Sequence, residues 1–492
     1  MIGDIDLTTP GVRMQTSFGF LIATLFALIS QTVATEVAAS DYAIVVSQQT
    51  RSDAGWNRVV AALEAKHNGR VIVYDTAITE ALLALVKQFP QHVCFVATRD
   101  EATREFVAQV HRLTRQLDED PYTDCLWGIL TGYDASNALR IAEEPQALVV
   151  KKVASGTEIA LDRCSEGVWF SELKPGLRVR KTPSGETTSE TGAADSTRQL
   201  ANTLTTDKSQ LFVTSGHATE RDWQIGFAYR NGQFVSKSGQ LFGVDVKGER
   251  FAIESNEPRV YLAVGNCLMG HIDGPDAMAL AFLNSAGVRQ MVGYTVLTWY
   301  GYAGWGCLDY YIEQPGRYTL AEAFFANQQA LLHRLDTLAP ELLKENPAPG
   351  QTVRRVQLSE AARAAGLTAQ DLAGLLHDRD VLAFYGDPAW SARLEKGELA
   401  WGQSLTEVDG VYTFEVTGQA GDKSFAPVNT NGSQRGGRPI IQFLPKRLKN
   451  IRVLTGTEWN PVLTDNFLLM PLPKVNDPSH HFRVTFRGEV AE

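Results

Sequence analysis

Short apolar runs alternate with helix-length amphipathic segments through the first third of the chain, and no other feature constrains the fold as much. Runs at 42–47, 71–74 and 93–98 are separated by helical patterns at 56–66, 81–89 and 103–117. Strands separated by helices of that length are joined by crossovers, which makes them parallel and covers both faces of their sheet. Neither G-x-G-x-x-G nor G-x-x-x-x-G-K-[ST] occurs in the chain, so no phosphate-binding loop accompanies the sheet. Residues 40–150 therefore read as an α/β first subdomain that serves as scaffold.

The pattern lapses over 151–210. Its second part is rich in Ser, Thr and Gly (Thr187, Thr188, Ser189, Thr191, Gly192), a composition that buries little apolar surface, and the segment reads as an irregular linker or lid. A second α/β region spans 211–390, with strands expected at 211–215, 259–265, 290–298 and 381–385 and helices at 276–285, 320–334 and 359–365. The Glu and Arg residues of 354–379 fall on the wet faces of helices. From 391 to 492, short strands at 410–416, 439–444, 451–454 and 481–487 lie between Gly, Asn and Pro turns, the pattern of a small Ig-like β-sandwich. A chain of 492 residues accommodates these parts at roughly 150 residues per domain.

Charge and the amino terminus narrow the partners and the compartment. With 46 Lys+Arg against 56 Asp+Glu the net charge is −10, which argues against nucleic acid or anionic membrane as the main partner. The mostly apolar run at 18–29, preceded by Arg13 and followed by small residues up to Ala34 or Ala39, is patterned as an export signal over 1–39. A buried first helix is the alternative, and Met14 offers a second start site. The run is too short to span a bilayer. The mature protein is expected to begin near 35–40, to carry no membrane span, and to be secreted, periplasmic or held at the cell surface. Of the five cysteines, Cys94, Cys125, Cys164, Cys267 and Cys307, none are paired as C-x-x-C, so zinc-ribbon and thioredoxin-type chemistry are absent. An odd count leaves at least one thiol free.

Two strand candidates of the second α/β region stop at chemically capable residues: Leu211-Phe-Val-Thr-Ser-Gly216-His217 and Val260-Tyr-Leu-Ala-Val-Gly-Asn266-Cys267. Ligands of open parallel sheets bind beyond the carboxyl ends of the strands. If the two strands are neighbours, His217 and Cys267 share one crevice, and an imidazole beside a thiol generates the thiolate that thiol acyl transfer requires. The same residues also fit a satisfied strand-end histidine and a small buried thiol. Cys267 and His271, four apart with Asp273 near, are too few for a zinc site. His480-His481 lies in a polar turn, and Asn431-Gly-Ser433 matches a glycosylation sequon.

The surroundings of the pair carry a resemblance. Gly216-His217-Ala-Thr-Glu-Arg-Asp-Trp223, Gly265-Asn-Cys267 and Tyr385-Gly386-Asp387-Pro388-Ala389-Trp390 together resemble the gingipain family of secreted bacterial cysteine peptidases, within the wider caspase-like group. Tyr122-Thr-Asp124-Cys-Leu-Trp-Gly128-Ile-Leu130, followed by a helical 135–143, resembles the strand and helix closing that family's first subdomain. Met278-Ala-Leu-Ala-Phe-Leu-Asn-Ser-Ala286 resembles its helix after the nucleophile. The likeness covers roughly 41–150 and 211–480 in the family's order. It implies two parallel-sheet, caspase-like subdomains followed by a β-sandwich. It further implies His217 as general base, Cys267 as nucleophile, the backbone N–H groups of Cys267 and Ala218 as oxyanion hole, and Trp299 over the substrate pocket. Two features depart from the family. Ala218 stands where it usually has Gly, and the acids that it places between its subdomains have no counterpart in the unpatterned 151–210; Asp222 and Asp245 are available downstream.

The expected function is a cysteine endopeptidase acting on exported or extracellular protein or peptide substrates through a Cys-His dyad, with no cofactor. Structural calcium, which relatives often bind, is compatible with the resemblance although no Asp-rich loop demands it. The alternatives are a non-catalytic caspase-like binding or assembly module and a thiol acyl transferase using the same dyad.

Overall fold

A computed structural model describes residues 41–351, 356–474 and 480–491. Its centre is a 12-stranded sheet in the spatial order Arg70–Tyr74, Tyr42–Ser47, His92–Val96, Leu126–Leu130, Leu382–Tyr385, Val288–Tyr294, Arg259–Asn266, Leu211–Gly216, Lys152–Ser155, Glu166–Phe170, Leu177–Lys181 and Thr187–Thr191. The strands at the middle of the sheet are almost wholly buried, Leu126–Leu130 and Val288–Tyr294 without exception. Continuous apolar runs of this kind are what a sheet covered by helices on both faces requires. Three of those helices are Ala54–His67, capped by Asp53, Arg104–Leu113, capped by Thr103, and Leu320–Leu338, which begins with a Thr319–Glu322 capping box. The alternation read from 40–150 holds.

The layout expected as two separate sheets is one. Leu382–Tyr385 pairs with Leu126–Leu130 in parallel through Tyr385 and Ile129, and with Val288–Tyr294 in antiparallel, Met291 opposite Tyr385. The four strands of the first half therefore run opposite to the parallel strands of the second. Their carboxyl ends lie at opposite edges of the sheet. Buried polar contacts secure the seam: Asp387 accepts hydrogen bonds from the Tyr42 hydroxyl at 2.8 Å and Lys66 at 3.0 Å and sits 2.7 Å from the His67 ring, while Asp380 pairs with Arg112, Arg115 and Arg379.

Residues 151–210 correct the sequence reading. They are neither irregular nor a linker, because Lys152–Ser155, Glu166–Phe170, Leu177–Lys181 and Thr187–Thr191 extend the central sheet and Thr197–Leu204 is a helix. The strand Lys152–Ser155 pairs in parallel with Leu211–Gly216. The Ser/Thr-rich stretch forms the outermost, half-exposed strand, Thr187–Thr191. An edge strand needs β-branched residues and backbone pairing on one side only, not an apolar face, so its composition hid it. A second sheet, Asp222–Gln224, Gln233–Lys237, Gln240–Val244 and Arg250–Ile253, fills the excursion between the His217 and Cys267 strands.

At the carboxyl terminus, strands ordered Trp401–Val408, Val411–Gly418, His481–Val490 and Leu448–Thr455 and a smaller sheet of Ile440–Phe443, Phe467–Met470 and Val462–Leu463 share a core that includes Phe414, Ile440, Leu468, Phe482 and Phe486. Among the described residues no helix is long and apolar enough to cross a membrane. The export signal read over 1–39 lies outside the described residues.

Candidate active site

Leu211–Gly216 and Arg259–Asn266 are adjacent parallel strands whose last pair is Gly216 with Asn266. The next residue on each is His217 and Cys267, so the register alone sets the two side by side across a spacing of about 4.8 Å. Between the pairs Thr214 with Ala263 and Ser215 with Gly265 the register shifts, so the extra residue, Val264, bulges the cysteine strand shortly before Cys267, as bulges do where a side chain must be re-aimed. Beyond it Gly216 adopts φ +89°, a conformation that glycine reaches without cost. Ala218 is not among the residues of positive φ. The left-handed position at this strand end is therefore Gly216, before the histidine, and not position 218 after it.

A buried amide braces the strand ends. The Asn266 side chain accepts from the Thr214 hydroxyl at 2.5 Å and donates to the Gly216 carbonyl at 3.0 Å, and Thr214 also meets the Tyr261 hydroxyl at 2.8 Å. With both amide functions used and no exposure, Asn266 locks the histidine strand to the cysteine strand. The residue after the cysteine, Leu268, is held at φ +59° with its N–H on the Val296 carbonyl. A branched side chain in the left-handed region is strained, and such strain is sustained only by the surroundings.

Cys267 is half-buried, whereas Cys94, Cys125, Cys164 and Cys307 are buried; all five are free thiols. Burial pushes the Cys164 and Cys307 thiols up to about 12 and those of Cys94 and Cys125 higher still, which leaves them inert as nucleophiles. The Cys267 sulfur instead receives the Thr298 N–H at 3.3 Å and lies 3.7 Å from the Thr298 carbonyl.

The His217 ring is exposed and stacks on Phe227, centroids 5.0 Å apart. Among the described residues it makes no hydrogen bond, so His217 and Cys267 are neighbours without a direct N to S contact. Around Ala218 the pairing runs from Gln224 N–H to His217 O and from Thr219 N–H to Asp222 O, which leaves the Ala218 N–H out of that ladder. Trp299 follows Thr298, is 47% exposed, and packs against Tyr300 and His377.

The downstream acids do not reach the pair. Asp222 accepts from the Thr219 hydroxyl and Asp245 from the N–H groups of Lys247 and Glu249. The acid the sequence reading missed is Glu172, just past the strand Glu166–Phe170. It is 8% exposed, accepts from the Thr157 hydroxyl at 2.7 Å and from the Ser215 hydroxyl, and its carbonyl takes the N–H groups of Phe227 and Ala228. The five-residue run Glu166-Gly-Val-Trp-Phe170 was the available signal, since an acid beyond such a strand shares the crevice of its neighbours.

His271 packs on the Arg104 guanidinium at 2.8 Å, and Asp273 pairs with Arg221 at 2.6 Å and 2.9 Å, so both candidates beside Cys267 already face a cation. Asp118, Asp124 and Asp465, on the first half and the carboxyl-terminal part, bring carboxylate oxygens within 4.8 Å of one another. Burial, then Asp118, pushes the Asp124 carboxyl up to about 9, and Arg447 pairs with Asp465.

No protein-family model matches the chain, and no curated protein matches it. Among solved structures, the complex of the pro- and mature domains of RgpB from Porphyromonas gingivalis is similar to it, with a TM-score of 0.40 and 10% sequence identity, covering 89% of this chain and 95% of that chain.

Proposed function

We propose that the protein is a cysteine endopeptidase that acts on exported or extracellular proteins through Cys267 and His217. One observation carries the reading: the register of two parallel strands sets a half-exposed thiol and an exposed imidazole side by side at the carboxyl edge of the sheet, with a backbone N–H on the sulfur. In this reading His217 turns from Phe227 toward the sulfur and takes its proton. The thiolate then attacks the scissile carbonyl, and the oxyanion is received by the N–H groups of Cys267 and Ala218. The imidazolium returns its proton to the leaving amine, which departs with the carboxyl-side fragment and leaves a thioester. Water deprotonated by His217 hydrolyses the thioester and restores the thiol. No metal or organic cofactor is needed, and Trp299 flanks the bound peptide. Catalytic hydrogen bonds that are long in a free enzyme commonly close on substrate.

The stacking of His217 on Phe227 without a bond to sulfur favours a second reading, a non-catalytic binding module built on the same fold. Iodoacetamide labelling of the full chain from pH 5 to 8 separates the two. The peptidase reading expects Cys267 to label well below the free-thiol pKa of about 8.5, with that reactivity lost in His217→Ala and a Cys267-dependent cleavage of unfolded protein. A thiol that labels only after unfolding sinks it.

A further inference from the structure

Residues 428–438, a loop of the carboxyl-terminal part, reach back to the neighbourhood of the dyad. Two carboxylates hold the loop at its base: Asp309, on the helix Tyr302–Tyr311, and Glu313 just beyond it. Arg435 pairs with both, at 2.6 Å to Asp309; Gly436 N–H donates to Asp309 at 3.0 Å, and the N–H groups of Val428 and Asn429 donate to Glu313. The side chains of this ion cluster are at most 7% exposed, so separating the loop from the helix would strand buried charge.

Two contacts run from the loop toward the site. The Trp305 indole lies between Gly432 and Gly265, where added Cβ atoms would sit 2.4 Å and 2.9 Å from it, and Gly265 is two residues before Cys267. The second contact is a hydrogen-bond relay. Asn431 Nδ2 donates to Thr157 Oγ1 at 2.9 Å and to the Glu158 carbonyl at 3.2 Å, and Thr157 Oγ1 donates to Glu172 Oε1 at 2.7 Å. Glu172 takes the Ser215 hydroxyl on its other oxygen, and its carbonyl takes the N–H groups of Phe227 at 2.7 Å and Ala228 at 3.0 Å. Phe227 is the platform under the His217 ring.

We propose that residues 428–438 are a positioning element of the site, in which Asn431 orients the Thr157 hydroxyl onto Glu172 and thereby fixes the residue whose carbonyl holds the Phe227 backbone, the rest position from which His217 turns to the sulfur. With the Asn431 amide donating to one lone pair of the hydroxyl, that direction is closed to its proton, and of the two that remain one carries the carboxylate. Without that donor the hydroxyl is free to rotate and the Glu172 carboxylate loses a fixed partner. The carboxyl-terminal part is then a condition for an ordered dyad, so the thiol reaches full reactivity only once this loop has docked.

The inference rests on the peptidase reading, and the experiment tells their failures apart. The full chain is compared with Asn431→Ala, Asn431→Asp, Thr157→Val and Thr157→Ser for the Cys267 alkylation rate from pH 5 to 8 and for kcat and KM on an unfolded protein substrate, with Tm as the folding control. A misplacement of about 1 Å caused by a change remote from the chemistry can cost about a hundredfold, and a smaller one correspondingly less. Asn431→Ala, Asn431→Asp and Thr157→Val are expected to lower kcat about tenfold and to reduce alkylation on the His217-dependent limb, with KM unchanged within about twofold. Thr157→Ser, which keeps the hydroxyl, is expected to restore the wild-type profile. If Asn431→Ala fails to fold, the near-isosteric Asn431→Asp decides. Wild-type kcat and pH profile in folded Asn431→Asp and Thr157→Val overturn the positioning role and leave the dyad standing. A wild-type thiol indifferent to His217→Ala overturns both.

Discussion

The two halves of the central sheet use the same strand-and-helix pattern, but they end their strands differently. In the first half the strand ends close on themselves: the Ser47 and Thr50 hydroxyls and the Thr98 N–H all converge on the Glu101 carboxylate at 2.5 to 2.8 Å. One of its two cysteines, Cys94, is inside a strand and fully buried, and burial followed by the Asp387 charge pushes its thiol far up. In the second half Cys267 comes one residue after its strand stops, half-exposed, with a backbone N–H on the sulfur and an exposed imidazole just past the adjacent strand. The difference between the two thiols is one of burial, which the place of each along its strand decides: Cys94 inside the ladder, Cys267 beyond its last pair.

The largest expected effect tests that contrast directly. Cys267→Ala is expected to lower proteolysis by about 10⁴-fold or more, as loss of a nucleophile does. Cys94→Ala, measured in the same assay, should leave kcat unchanged and register only as lower stability in urea. Equal losses from both would break the comparison. Next, His217→Ala should cost about 10²- to 10⁴-fold in kcat and remove the low-pH alkylation of Cys267; alkylation that persists unchanged would reassign the base.

The seam between the halves gives the next effect, on stability. Burial opposes ionisation of Asp387, but the His67 hydrogen bond and the Lys66 and His67 charges outweigh it and hold the carboxyl at about 2. Asp387→Asn removes the carboxylate that the Tyr42 hydroxyl, Lys66 and the His67 ring share and is expected to cost about 3–5 kcal/mol in urea titration. The folded-state pKa lies below the unfolded value of about 3.9. The stabilisation is therefore present above pH 4 to 5 and lost as pH falls toward 2, a change of about 2–3 kcal/mol. An acid limb identical in wild type and variant would show that the seam does not depend on this charge.

Smaller effects refine the comparison at the strand end. Gly216→Ala meets no atom closer than 3.7 Å but must hold φ +89°, at a cost of about 1–2 kcal/mol. Ala218→Gly should lose only about 0.4–1 kcal/mol, through the unfolded chain, with no gain in kcat. The reverse ranking by thermal unfolding would return the left-handed role to position 218.

Most of the scaffold was legible because periodicity is local. The strands at 42–47 and 211–215, and the helices at 56–66 and 320–334, were readable since a buried parallel strand must be apolar throughout and a covering helix apolar on one face. Legibility failed where structure is supplied by partners. Thr187–Thr191 is a strand because Leu177–Lys181 offers it hydrogen bonds, and Tyr302–Tyr311, buried on every side, shows no helical stripe to read.

The same division runs through the site. By itself the sequence determined which residue types end the two strands, His217 and Cys267, because the apolar runs stop there. Only the tertiary structure decided that those strands are neighbours in one register, that Gly216 and not position 218 takes the left-handed turn, and that Glu172 and Asn431 belong to the same surroundings. Glu172 is 45 residues before His217 and Asn431 is 164 after Cys267. Contacts over such separations arise from sheet order and domain docking, which are set by the sum of many burial terms and leave no periodic trace in the chain.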